Sequence, residues 1–222
     1  MKKQIIFAAF LVIISVKSFS QIVFEDGYFI NESNQKINCL IKNTDSKNNP
    51  TEFNYKILPD GEIKEADIKN IKEFGITGFS KYIRAKVNMD RSSNEINNLS
   101  SHRNPIFQEE TLFLKVIIEG KVSFYHYEER NLTRFFYSIN DSEITQLIFK
   151  QYLLNDKIAT NNYFKQQLLN DFGSQGISLQ DIKYIGYNKK DLKRFVIKIN
   201  ESLNSDYSIQ ESKQKQIYLT FL

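Results

Sequence analysis

Over residues 22 to about 140, apolar and polar positions alternate with a period of two, broken at intervals by turn formers, which predicts antiparallel strands joined by hairpins. Phe53, Tyr55 and Ile57 alternate with Asn54 and Lys56, and Leu58-Pro59-Asp60-Gly61 then places Pro and Gly where a type I turn uses them. Segments 27–30 and 36–41 flank the polar turn 31–35 and predict a second hairpin. A third joins 111–119 to 122–129 across Gly120-Lys121, and its parity can be read. Leu112, Leu114 and Val116 share a face with Tyr125 and Tyr127, whereas His126 points the other way with Phe113, Lys115 and Phe124, because side chains alternate strictly along a strand. Residues 132–139 extend this meander.

After Asn140 the spacing becomes helical. Phe164, Leu168, Leu169 and Phe172 fall on one face before Gly173, and Leu192, Phe195, Val196 and Ile199 repeat the pattern behind a capping residue, Asn188. Ser178 and Asp181 have capping-box spacing. The expected fold class is therefore α+β: an antiparallel β part over residues 21–140, followed by two or three helices over 141–222 packed on or appended to it.

The start of the chain reads as an address. Lys2 and Lys3 precede a 12-residue stretch from Ile5 to Val16 that is apolar but for Ser15, and Ser18 and Ser20 flank Phe19, the layout of a secretory signal peptide over residues 1–20. That stretch falls short of the about 20 residues a spanning helix needs. Losing Lys2, Lys3 and Lys17, with no acid among them, lowers the formal charge from +4 to +1. The remaining body lacks the basic surplus of a nucleic-acid binder, and no nucleic-acid partner is expected. The single cysteine, Cys39, forbids an internal disulfide and sits in an alternating apolar segment, as a buried small hydrophobe does.

Catalytic hardware is not recognisable. Gly75, Gly78 and Lys81 do not have P-loop spacing, no nucleophile elbow or HExxH is present, and with two histidines and one thiol a transition-metal site would have to be assembled mostly from carboxylates. A calcium loop at Asp90, Ser92 and Asn94 has Glu95 where its glycine belongs. Glu109-Glu110 and Glu128-Glu129 each point to opposite faces, so neither is a local acid and base pair. No cofactor or metal is expected. Residues 88–105 resist assignment, being rich in turn formers and lacking periodicity over a length unusual for a loop, so the segment is expected to be either functional or disordered. Asp90, Arg91, His102 and Arg103 are its candidate contact residues.

The leader ending in Ser-Gln, the GYFI and KINCLIKN segments beginning at Gly27 and Lys36, KNNPTEFNYK from Lys47, KYIRAKVNMDRSS from Lys81 and NLTRFFYSIN from Asn131 together resemble a group of uncharacterised exported Bacteroidota proteins. Some of these continue into an outer-membrane β-barrel. The resemblance implies export to the periplasm, the outer membrane or the medium and transfers no catalytic residue. The expected role is a non-enzymatic envelope module that binds a protein or envelope component. The alternative is a hydrolase of envelope polymers whose carboxylates come from separate strands.

Overall fold

The computed structural model describes residues 23–44 and 46–210; the leader expected over 1–20 lies outside the described residues. The alternating segments form β1 (Phe24–Asn31), β2 (Lys36–Lys42), β3 (Glu52–Lys56), β4 (Lys64–Asp67), β5 (Ile71–Ile76), β6 (Ser80–Asp90), β7 (Phe107–Gly120), β8 (Val122–Glu129) and β9 (Leu132–Ile139). Antiparallel pairing orders the main sheet β10-β9-β8-β7-β6-β5-β1-β2-β3-β4, with β10 (Thr145–Gln146) at one edge and β13 (Tyr207–Ile209) added to β7. Helices α1 (Tyr163–Phe172), α2 (Leu179–Lys183) and α3 (Lys189–Ser202) follow, so the fold is α+β.

Between the meander and α1, where helical spacing was expected to begin, the chain instead forms β10 and a separate hairpin of β11 (Lys150–Leu154) and β12 (Lys157–Asn161). The hairpin turn is Asn155-Asp156, both with positive φ (50° and 59°), the geometry of a two-residue type I′ turn. These strands span five residues at most, too few for alternation to stand out.

The expected parity holds. Val116 stands opposite Tyr125, and Leu112, Leu114, Val116, Tyr125 and Tyr127 are buried together with Ala85, Val87, Met89 and Phe136. Among the described residues, no helix packs on this face. It is buried because strands β6 to β10 curl around it until the end of β6 meets β10, where the Asp90 amide donates to Gln146 Oε1 at 2.9 Å. On the opposite face, Phe124, Phe135 and Tyr137 receive Phe164, Leu168 and Phe172 of α1 and Leu192, Phe195 and Ile199 of α3. A bulge between Val116 and Ile118 brings both Ile117 and Ile118 under the helices. Buried Asn200 fastens α3 to the β7–β8 turn, accepting from the Val122 amide at 2.9 Å and donating to the Val122 carbonyl at 2.8 Å. A Cβ on Gly120 would lie 2.8 Å from the Tyr207 Cβ, so this turn needs glycine.

The N-terminal strands bury their apolar side, Phe29, Cys39, Ile41, Phe53 and Phe74, together with Phe113, which lies on the helix-bearing side of the sheet. The two halves of one sheet therefore enclose cores on opposite faces. The second enclosure is closed by Asn49, in the β2–β3 loop. The β7–β8 register pairs end at Lys115 and His126, and beyond them Asn49 takes over the free backbone groups. Its Nδ2 donates to the carbonyls of Phe113 (2.8 Å) and His126 (3.0 Å), its Oδ1 accepts from the Glu128 amide (3.1 Å), and its own amide donates to the Glu128 carbonyl (2.7 Å).

Two predictions follow from these closures. Asn49→Ala leaves three strand groups unpaired at a part-buried site and is expected to lower unfolding free energy by about 2–4 kcal/mol. Asn48→Ala, at an exposed neighbour that accepts only from the Arg130 amide, should cost less than about 1 kcal/mol by urea denaturation. The second concerns alkaline pH. Burial pushes the Tyr82 and Tyr187 phenols from 10.0 up to about 12. The unfolded chain releases these protons first, so stability falls as pH rises from about 10 towards 12. Tyr82→Phe should match the parent at pH 8 and lose less stability at pH 11, by up to about 1 kcal/mol. An equal loss in both proteins would contradict the assignment.

Candidate functional site

The segment that lacked periodicity is an ordered loop. Strand β6 runs to Asp90, β7 begins at Phe107, and residues 91–106 between them contain one 3₁₀ turn, Ile96–Asn98. Two buried residues hold its base. Asp90 Oδ1 accepts from the Ser92 hydroxyl at 2.8 Å and from the Ile106 amide at 3.0 Å, so one carboxylate oxygen ties the two ends of the loop together. Arg134, on β9, donates through Nε to the Asp90 carbonyl at 2.8 Å, through Nη2 to the Ser92 carbonyl and through Nη1 to the Thr133 carbonyl at 2.9 Å. Its Nη2 also lies 3.6 Å from Asp90 Oδ2. Arg134 is 0% exposed. Burial pulls its guanidinium below the usual arginine value, opposed by Tyr187 and Asp90, and a desolvated cation of this kind must collect acceptors.

The far side of the loop is held by the β11–β12 hairpin. Lys150, also 0% exposed, donates its ammonium to the Asn104 carbonyl at 2.9 Å, and Asn161, its partner across the hairpin, donates Nδ2 to the Arg103 carbonyl at 3.1 Å. The Leu153 amide donates to the Ser100 carbonyl at 2.9 Å, and Asn131 donates to Glu95. The loop backbone is thus held at many points while the side chains of Ile96, His102, Arg103 and Ile106 face solvent. Phe107, Leu154 and Ile158, on the strands that adjoin the loop, are exposed as well.

The four candidate residues do not converge. Asp90 is buried and serves the loop base. Arg91 leaves the base in a surface ion cluster: it grips Glu110 with two bonds of 2.9 and 2.7 Å, pairs with Glu129 and donates to the Tyr127 hydroxyl at 3.2 Å. His102 and Arg103 occupy the exposed outer stretch. The adjacent acids indeed separate, yet one member of each pair, Glu110 and Glu129, meets at Arg91. The bond from Arg91 holds the Glu129 carboxyl below its ordinary range.

Sequence reasoning missed Arg134, Lys150 and Asn161. Arg134 carried a signal, since it shares strand parity with Leu132 and Phe136 and so places a charge on an inward face. Lys150 and Asn161 lie on the hairpin that periodicity did not show.

Other concave sites differ in chemistry. A groove of about 370 Å³ on the N-terminal half is lined by the stacked rings of Phe53, Phe74 and Tyr82 and by Asn54 and Ser80. A hollow of about 390 Å³ beside α2 holds both Asp181 and Asp191. Lys198 and Ser178 bind Asp181, while Asn188, the Gly186 amide and Arg194 bind Asp191, and both carboxyls are held below the ordinary range. Burial pushes the Cys39 thiol up to about 11, away from the thiolate a nucleophile would need. Among the described residues, no group of three or more His, Cys, Asp and Glu side chains could hold a metal ion, and no helix is long and apolar enough to cross a membrane.

Compared with family models, curated proteins and solved structures, the chain matches none.

The two buried cations should respond differently to removal. Arg134→Met leaves Asp90 buried without its counter-charge and frees the Asp90 and Ser92 carbonyls, so it is expected to cost about 3–5 kcal/mol. Among the described residues Lys150 has no carboxylate within ion-pair distance and a single carbonyl partner, so Lys150→Met removes an unbalanced buried charge and should cost less than about 1 kcal/mol or stabilise. Urea midpoints in the reverse order would overturn this account of the loop.

Proposed function

We propose that the chain is an exported, non-enzymatic envelope module that binds a protein or envelope polymer through the 91–106 loop and the hairpin beside it. The observation that carries this reading is the contrast between a backbone held by Asp90, Arg134, Lys150 and Asn161 and side chains left in solvent at Ile96, His102, Arg103 and Ile106. A loop fixed before binding loses little conformational freedom when a partner arrives, which is how a small surface gains affinity. Its mixture of aliphatic side chains with an imidazole and a guanidinium suits recognition. Export is supported by the leader-like residues 1–20 and by the resemblance of the chain to exported proteins.

The hydrolase reading requires a carboxyl group that keeps its proton near neutral pH. Three of the carboxylates that meet other charged groups do the opposite: Asp181, Asp191 and Glu129 are held low by cations or hydrogen-bond donors. This favours binding over catalysis.

Deleting the loop would uncover Arg134 and Lys150 and so confuse folding with binding. The discriminating variant is His102→Ala, Arg103→Ala and Ile106→Ser combined, which alters only exposed side chains. Affinity capture from envelope extracts should fall at least about tenfold against the parent, corresponding to about 1.4 kcal/mol, with thermal stability unchanged. Capture that persists in the variant would remove the loop from the function.

A further inference from the structure

The helical layer carries a second surface with different chemistry. Helix α2 is a five-residue ridge, locked by a complete capping box between Ser178 and Asp181, with Ile182 turned into the core. Its flanks present Leu179 and Tyr184 to solvent at 70% and 79% exposure, the two most exposed large hydrophobic residues among the described residues. Scattered exposed apolar residues need no explanation. Here, however, they sit five positions apart on one ridge, and each faces a hollow with largely apolar walls. The hollow beside Leu179, about 440 Å³, has Leu169 and Ile182 in its lining, and that beside Tyr184, about 390 Å³, has Ile185 and Phe195.

Cations rim both hollows. Lys165 and Lys183 line the first, and Arg194 and Lys198 line the second. Lys183 Nζ stands 5.2 Å from the centre of the Tyr184 ring. Lys190 lies one turn before Arg194 on the exposed side of α3. Arg194 and Lys198 are balanced by Asp191 and Asp181 at 2.7 and 2.5 Å, but among the described residues no carboxylate lies within ion-pair distance of Lys165, Lys183 or Lys190, and the Lys165 ammonium donates only to the Lys183 carbonyl at 2.6 Å. Two charges without a carboxylate partner therefore adjoin the protruding apolar groups, and a third, Lys190, lies on the same exposed side of α3 as Arg194.

We infer that the α2 ridge and its rim dock on an anionic lipid surface, with Leu179 and Tyr184 entering the headgroup region and Lys165, Lys183 and Lys190 facing the lipid charges. A soluble acidic partner would satisfy the lysines and leave Leu179 and Tyr184 in water. An apolar protein patch would satisfy those two and strand the lysines. A charged bilayer interface satisfies both, and a tyrosine with its ring below and its hydroxyl among headgroups suits that boundary. Lysines extend their stems in the same way and keep their ammonium groups in water. This surface is separate from the 91–106 loop, and neither proposal depends on the other.

The chain contains no tryptophan, so a Tyr184→Trp substitution gives a single emitter at the proposed contact in the otherwise intact protein. Its emission should shift to the blue on titration with vesicles of mixed phosphatidylglycerol and phosphatidylcholine, and should not shift with phosphatidylcholine alone. A Leu58→Trp reporter, at a solvent-exposed position in the β3–β4 turn, should stay unshifted in both, which separates contact at α2 from tethering by the leader. Adding Lys183→Gln and Lys190→Gln to the first reporter should weaken vesicle binding about thirtyfold at low salt. No shift with anionic vesicles, an equal shift at both positions, or the same shift with soluble dextran sulfate would each overturn the assignment.

Discussion

Removing the Arg134 guanidinium from water is the constraint around which the C-terminal half of the sheet and its long loop are organised. A cation with no exposed surface is costly unless its donors are met, and Arg134 meets them with carbonyls of the chain that must turn away from β6. Asp90, at the same point, holds the first and last parts of the loop with one oxygen. Both residues lie where β6 reaches β10, so closing the curled sheet and fixing the loop are one event. The energetics of the pair are asymmetric. The pair adds little compared with apolar residues of the same volume, but losing one member leaves the other buried and uncompensated.

Asn49 does for the N-terminal half what Arg134 does for the other. A neutral amide suffices there because the groups it meets are the unpaired carbonyls and amide of two strands that have parted. With one half enclosing Leu114 and Met89 and the other enclosing Phe53 and Phe74 on the opposite face, the sheet does not close on itself as a single barrel. The outer surface of the first half is left to α1 and α3, and α2 projects beyond them. The 91–106 loop and the α2 ridge are consequences of this layout: one emerges where the sheet closes, the other where the helical layer ends.

Much of the fold was legible. The residues of the Tyr125-His126-Tyr127 run divide between faces as parity required, the Ser178 and Asp181 box forms, and Asn188 caps α3. Physical reasons mark where reading stopped. Strands β10 to β13 are too short for periodicity to emerge, and Asn155-Asp156 was the signal of the hairpin. The bulge at Ile117 inverts parity without leaving a mark in the sequence. The candidate loop could be located by its lack of pattern, but not its anchors, since Arg134, Lys150 and Asn161 lie 28 or more positions beyond the last loop residue, Ile106. Asp90 looked like a surface contact and is part of the frame, because its oxygen meets the Ile106 amide across the 16 positions of the loop.

Backbone order in residues 92–106 tests the central claim most directly. Nitrogen-15 relaxation should give these amides order parameters near the about 0.85 of rigid backbone, comparable to β7 and β8, although side chains such as Ile96, His102, Arg103 and Ile106 face solvent. Values below about 0.6 across the stretch would show a mobile segment and contradict the account of a loop organised in advance by buried side chains.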